Sequence, residues 1–203
     1  MRVTSLIEYF AIAVGIAAIV AGKTFALDNG VQLGLCLIGI GLTLAGLEAV
    51  YTRQMSLRFS DYGWDNWSGA PALIFGLMLL LVGAVLIGSA YVQSKGNWLV
   101  LINFLADRPG PALIAAGLLA IGSGWILVIM AGTYGSALRF IFVGMPQIIF
   151  GVVVLTLGIS LAGAGTWEWF DHREFERFSN GAAAKLHLPS PEPLWRKTVS
   201  KLK

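Results

Sequence analysis

Charge is what this sequence has least of. Asp, Glu, Lys and Arg make up 12% of its 203 residues, against about 25% in an ordinary soluble domain. A chain so poor in charge cannot clothe a water-facing surface, which excludes the common run of soluble enzymes and binding modules. Cysteine is also scarce. Cys36 stands alone, ruling out an intramolecular disulfide framework and a cysteine-based metal cage. The two histidines, His172 and His187, lie near the C-terminal end, so histidine ligation of haem inside the apolar part is excluded. Outside the tail no basic stripe is interleaved with exposed aromatics, and nucleic acid is not an expected partner.

Long apolar runs fill the space left by charge. Hydrophobic residues make up 57% of the chain, and there are 25 glycines. A helix of about 20 residues crosses the roughly 30 Å hydrocarbon layer, and five runs have that length, over residues 3–21, 31–50, 70–92, 111–133 and 145–167. The first resembles a secretory signal, with Arg2 ahead of it and alanines behind. Glu8 interrupts it, so a retained helix is the expectation. Residues 97–106 are too short to span and read as an interfacial helix between the third and fourth spans. The expected fold is therefore all-α: a polytopic integral membrane bundle of five transmembrane helices over 1–167. A polar C-terminal amphipathic helix and an extended basic tail follow over 168–203. An odd number of crossings puts the two ends of the chain on opposite sides.

Two stretches echo each other, "LRFSDYGWDNWSGAPALIFG" and "LRFIFVGMPQIIFG". Sliding the second span by 83 residues onto the fourth aligns Gly34, Gly39 and Gly41 with Gly117, Gly122 and Gly124. Sliding the third by 75 onto the fifth aligns Pro71 with Pro146, Gly76 with Gly151 and Gly83 with Gly158. A duplicated two-helix hairpin, 31–92 and 111–167, would produce this pattern. Small residues let helix backbones approach closely in lipid. Gly76 and Gly83, like Gly151, Gly158 and Gly165, recur every seven residues, which keeps them on one seam. Ala13, Ala17 and Ala21 mark a further stripe on the first helix. Packing within the bundle is the favoured use of such seams; contact with another subunit is the alternative.

Polar groups gather at the span ends. Glu8, Glu48, Arg53, Arg58, Arg139 and Gln147 fall on the side that holds the N-terminus. Carboxylates near lipid cost several kcal/mol unless paired or wetted. The expected arrangement is a set of interfacial ion pairs, Glu48 with Arg53 or Arg58 and Glu8 with Arg139. The competing reading is a cation, proton or head-group site. The span centres carry only hydroxyls, among them Thr43, Ser89, Ser123, Thr156 and Ser160, which argues against a proton pump or ion-coupled transporter. Trp64, Trp67, Trp98, Trp167 and Trp169 flank the spans, where indoles anchor helices at the membrane boundary. Glu168, His172 and Glu176 stand four apart, which reads as i,i+4 pairing on a solvated helix ahead of a metal site. Ser179-Asn180-Gly181 is the expected end of that helix. Pro189, Pro191 and Pro193 stiffen the stretch before the basic end "LWRKTVSKLK", suited to anionic lipid or an acidic partner.

No catalytic constellation, cofactor motif or metal-ligand spacing emerges. The expectation is a non-catalytic accessory or scaffold subunit of a larger membrane complex, partnered by membrane lipid and other membrane subunits. The runner-up is a small transporter or channel with an acidic entrance; a lipid-acting membrane enzyme ranks third. The Lys and Arg balance points to an outside N-terminus and a cytoplasmic C-terminus in a bacterial cytoplasmic membrane.

Overall fold

The computed structural model describes residues 3–25, 29–55, 67–96, 98–133 and 135–185. The elements run α1 (Val3–Thr24), α2 (Gly30–Thr52), β1 (Gln54–Met55), β2 (Trp67–Ser68), α3 (Ala70–Ser94), α4 (Trp98–Asp107), α5 (Gly110–Ala131), α6 (Ala137–Arg139), a π-helical turn (Phe140–Gly144), α7 (Met145–Phe170) and α8 (His172–Lys185). Five helices are long and apolar enough to cross a membrane: Ile7–Thr24, Gly30–Thr52, Ala70–Ser94, Gly110–Ala131 and Ala137–Phe170. The chain is an all-helical membrane-embedded protein, with one two-residue antiparallel pairing among the described residues that joins Gln54 to Ser68 and Met55 to Trp67. The residues between the two strands, Arg58 and Trp64 among them, lie outside the described residues, as does the proline-rich basic tail.

Each break has a local cause. Asn29 takes the left-handed conformation ahead of α2 (φ 69°), and Arg53 does so behind it (φ 51°). Pro71 sits in the first turn of α3, where its missing N–H leaves no hydrogen bond unmade. Pro146 behaves differently. The sequence places it at the start of the fifth span, but the helix runs on upstream of it to Ala137. Inside a helix, proline removes one hydrogen bond and crowds the carbonyl four residues back. Here the backbone widens into a π turn just before it, with Met145 N–H bonding Phe140 O five residues back. The extra residue gives the ring room and lets the helix continue.

The described structure forms two compact units, Met1–Asn97 with Gly122–Val153, and Trp98–Ile121 with Val154–Lys203. The first is held by glycine seams. A Cβ added to Gly15 would stand 2.8 Å from Gly34 O, and one on Gly34 2.5 Å from Gly15 O. Gly39 faces Gly83, and Gly46 faces Gly76, in the same way. Thus α2 uses one stripe, Gly34 and Gly41, against α1 and another, Gly39 and Gly46, against α3. Gly151 of α7 lies 3.0 Å in this sense from Gly124 O of α5. In the second unit Gly117 opposes Gly158 and Gly110 opposes Gly165. The packing use of Gly76, Gly83, Gly151, Gly158 and Gly165 is therefore internal to the units.

Two details depart from the sequence pattern. On α1 the packed stripe is Gly15 and Gly22, whereas Ala13 and Ala17 face outward. Backbone contact needs the absence of a Cβ, and alanine cannot supply that. The hairpin echo also has a different register. Gly39 and Gly46 play the parts of Gly117 and Gly124, an offset of 78 rather than 83, while α3 keeps its offset of 75 to α7. Gly122, matched to Gly39 by eye, instead receives the side chain of Met78 from α3.

Candidate functional site

Two polar groupings stand out, one in each unit. The first grows from the α1–α2 seam. Gly41 lets α1 approach until its absent Cβ would lie 2.9 Å from Ile12 and 3.2 Å from Glu8 O. Glu48 follows Gly41 by seven residues on the same α2 stripe, so the close approach carries it to Glu8. The two carboxyl groups come close to one another. Glu8 Oε1 is buried with no hydrogen-bond partner among the described residues. A carboxylate only accepts hydrogen bonds. Two such groups side by side repel one another unless a proton, a cation or a basic side chain offsets their charge.

The expected pairings with Arg53 and Arg139 are not found among the described residues, and the alternative of Glu48 with Arg58 involves a residue outside them. Arg53 and Arg139 are exposed, and neither makes an ion pair with Glu8 or Glu48. Arg53 closes α2 in a left-handed conformation, and Arg139 lies upstream of the π turn; both heads reach water more cheaply than they reach a half-buried carboxylate. Gln147 is used elsewhere: its Nε2 donates to Leu127 O at 3.2 Å. Of the six residues expected at this end, the structure brings together Glu8 and Glu48. Arg58 falls outside the described residues.

The second grouping is at the far end of α7. Glu168 is fully buried, with no exposed surface, so it is not on a solvated face. The Gly110–Gly165 contact explains why. It brings the start of α5 against the last turns of α7, and Glu168 lies one turn past Gly165. Its Oε2 accepts the Gly110 N–H at 2.8 Å, placing a carboxyl group at the N-terminus of α5, where the unbonded amides and the helix dipole favour it. Its Oε1 is 2.7 Å from His172 Nδ1, and His172 Nε2 is 3.3 Å from Glu176 Oε1. The i,i+4 pairing is real, but it is anchored in the interior.

Around it, Trp167 meets the rings of Phe175 (5.9 Å, edge-on) and Phe178 (5.1 Å). Trp169 is exposed beside it. Trp67 and Trp98 stand at β2 and at the start of α4; their side chains, like all of Trp64, lie outside what is described. The helix carrying Glu176 does not stop at Ser179-Asn180-Gly181 but continues to Lys185. Ala182, Ala183, Ala184 and Lys185 are strong helix formers and outweigh one glycine, which costs about 1 kcal/mol.

The centres of the spans offer little free polar chemistry. Thr43 donates to Gly39 O at 2.8 Å, Ser89 to Val85 O at 2.8 Å and Ser160 to Thr156 O at 2.9 Å, each four residues back on its own helix. Among the described residues no three His, Cys, Asp or Glu side chains group closely enough to hold a metal ion. Comparison with protein-family models, with curated proteins and with solved structures finds no match to the chain.

Sequence reasoning missed Gly110 as a partner of Glu168. The signal was present: Gly110, Gly117 and Gly124 share the seven-residue spacing of Gly151, Gly158 and Gly165. Pairing those two stripes antiparallel puts Glu168 at the α5 N-terminus.

Proposed function

We propose that this chain is a non-catalytic accessory or scaffold subunit of a larger membrane complex. One observation carries the reading. Gln147 is level with Leu127 through their hydrogen bond. From there α5 continues four residues, to Ala131, whereas the helix containing α7 continues ten, to Ala137. The excess of six residues is about 9 Å at 1.5 Å per residue. Its side chains are apolar and open: Leu138 is 71% exposed, Ile141 52% and Phe142 76%. The 22 residues of α5 already span about 33 Å, the thickness of the hydrocarbon layer. An apolar helix end standing beyond that layer is a surface for another protein. The glycine seams are spent on joining the helices of this chain, so partner contact falls to this overhang and not to the seams.

In the full proposal the protein sits in a bacterial cytoplasmic membrane, its N-terminus outside and its basic C-terminal tail on the cytoplasmic anionic lipid. Helix α4 and the amphipathic α8 lie along the membrane boundary with the tryptophans as anchors. Purification in a mild detergent tests the subunit reading. A stoichiometric set of larger membrane partners supports it; a homo-oligomer that moves solute in liposomes overturns it.

A second reading, a small transporter or channel, draws on the meeting of Glu8 and Glu48. The pair stands at the margin of the first two spans, where an acidic entrance would collect a cation. The back-bonded hydroxyls further in offer such an ion no evident path, which is why this reading ranks second.

A further inference from the structure

We propose that Glu168, His172 and Glu176 form a protonation-dependent latch that fastens α8 to the end of α7. The inference is independent of the partner reading and concerns the chain by itself.

The two helices are separated by Asp171, whose Oδ1 accepts the Glu174 N–H at 3.1 Å and so caps the start of α8. The chain bends there. Trp167 and Phe178 are eleven residues apart, about 16 Å along a straight helix, yet their rings are 5.1 Å apart. The bend brings the apolar side of α8, Phe175 and Phe178, onto Trp167. That contact is indifferent to pH.

The imidazole beside it is not. Its two nitrogens face two carboxyl groups, Glu168 on α7 and Glu176 on α8. A neutral imidazole donates one hydrogen bond and presents a lone pair at its other nitrogen; the imidazolium donates two. Both contacts are therefore favourable together only while the ring is charged, and both are then charge-assisted. Glu168 cannot swing away, since it is fully buried and its other oxygen is committed to Gly110 N–H. Glu176, with 55% of its side chain exposed, can. Loss of the proton leaves a weaker neutral bond across the α7–α8 bend and releases Glu176 to water.

Among the described residues no other charge nearby substitutes for the ring. On its own helix Arg173, Glu174 and Arg177 are exposed and make no ion pair with the chain of three groups. Asp171 spends its carboxylate on the cap, and α5 contributes only the Gly110 amide. Asp107 and Arg108, ahead of α5, are exposed and likewise unpaired with it. The latch is closed while the imidazole is charged and loosens when the ring gives up its proton.

Hydrogen–deuterium exchange on the full chain in lipid nanodiscs tests this. Protection of the α8 amides, corrected for the intrinsic exchange rate, is compared at about pH 5.5 and about pH 8.5, a window in which histidine is the side chain that changes charge. The expected result is a fall of about two- to fivefold from acid to alkaline pH, the worth of a partly exposed ion pair. His172→Gln abolishes the fall. Equal protection at both pH values in the unmodified chain, or an undiminished fall in His172→Gln, overturns the latch. Should His172→Gln fail to fold, Glu176→Gln decides, because its Gly110 cap and Trp167 contacts are intact. A smaller fall than in the unmodified chain supports the latch, and a fall of the same size overturns it.

Discussion

Gly39 and Gly83 touch backbone to backbone: a Cβ on Gly39 would stand 3.0 Å from Gly83 O, and one on Gly83 2.8 Å from Gly39 O. Lipid gives helices no hydrophobic reason to associate, so contact of this kind supplies much of what holds the bundle together. Gly83→Leu has nowhere to put its side chain and must push α2 and α3 apart. The expected loss is about 1–3 kcal/mol, seen as a lower thermal midpoint in mild detergent. Gly88, on the same helix but with nothing within 4 Å, is the control. Gly88→Leu leaves the midpoint unchanged within the effect of an ordinary surface substitution.

Glu168→Ala removes the acceptor from a buried amide at the start of α5. An unmet buried N–H costs about 1–3 kcal/mol, and the thermal midpoint falls accordingly. Gly110→Ala acts on the same contact from the other side, since its Cβ collides with Glu168 Oε2 and lies 2.8 Å from Gly165 O. The two effects are not additive, because either change alone breaks the joint.

Glu8→Gln and Glu48→Gln, made singly, keep a hydrogen-bonding group at the α1–α2 contact and relieve the meeting of two acids. Under the subunit reading, yield, thermal midpoint and co-purifying partners are retained in both variants. Loss of a solute flux in liposomes with the fold intact would promote the transporter reading instead.

Phe142→Ser tests the overhang. The side chain is 76% exposed, so the isolated chain loses no more than about 0.5 kcal/mol of stability. If the overhang is a docking face, partner recovery drops by about tenfold or more, the worth of one well-buried aromatic. Val85→Ser, at an exposed position on α3, leaves recovery unchanged.

The spans were legible because lipid imposes a length and a composition on any helix that crosses it, and both can be read along a line of text. Their ends were less so. Pro146 marks a helix start in most sequences, and only the π turn beside it shows that this helix passes through. The seven-residue spacing of Gly76 and Gly83 announced a seam but not its partner, and matching glycines by eye chose Gly122 for Gly39 where the pairing geometry chooses Gly117. Glu168 was misjudged for a related reason. The stretch that follows it, from Asp171 on, is charged, while its neighbours in space are Gly110 and Gly165, fifty-odd residues apart from each other. Glu8 and Glu48 do meet, yet Arg53 and Arg139, two of the opposite charges expected beside them, are exposed to water.

Topology mapping tests the central claim most directly. In a Cys36→Ala background, single cysteines are placed at Phe25 just after α1, at Ser136 and in α8 at Asn180, then challenged with a membrane-impermeant thiol reagent on intact cells. The account predicts that the turn after α1 and the end of α8 share one side while Ser136 lies on the other, as five crossings require. Asn180 and Ser136 labelled from the same side would contradict it.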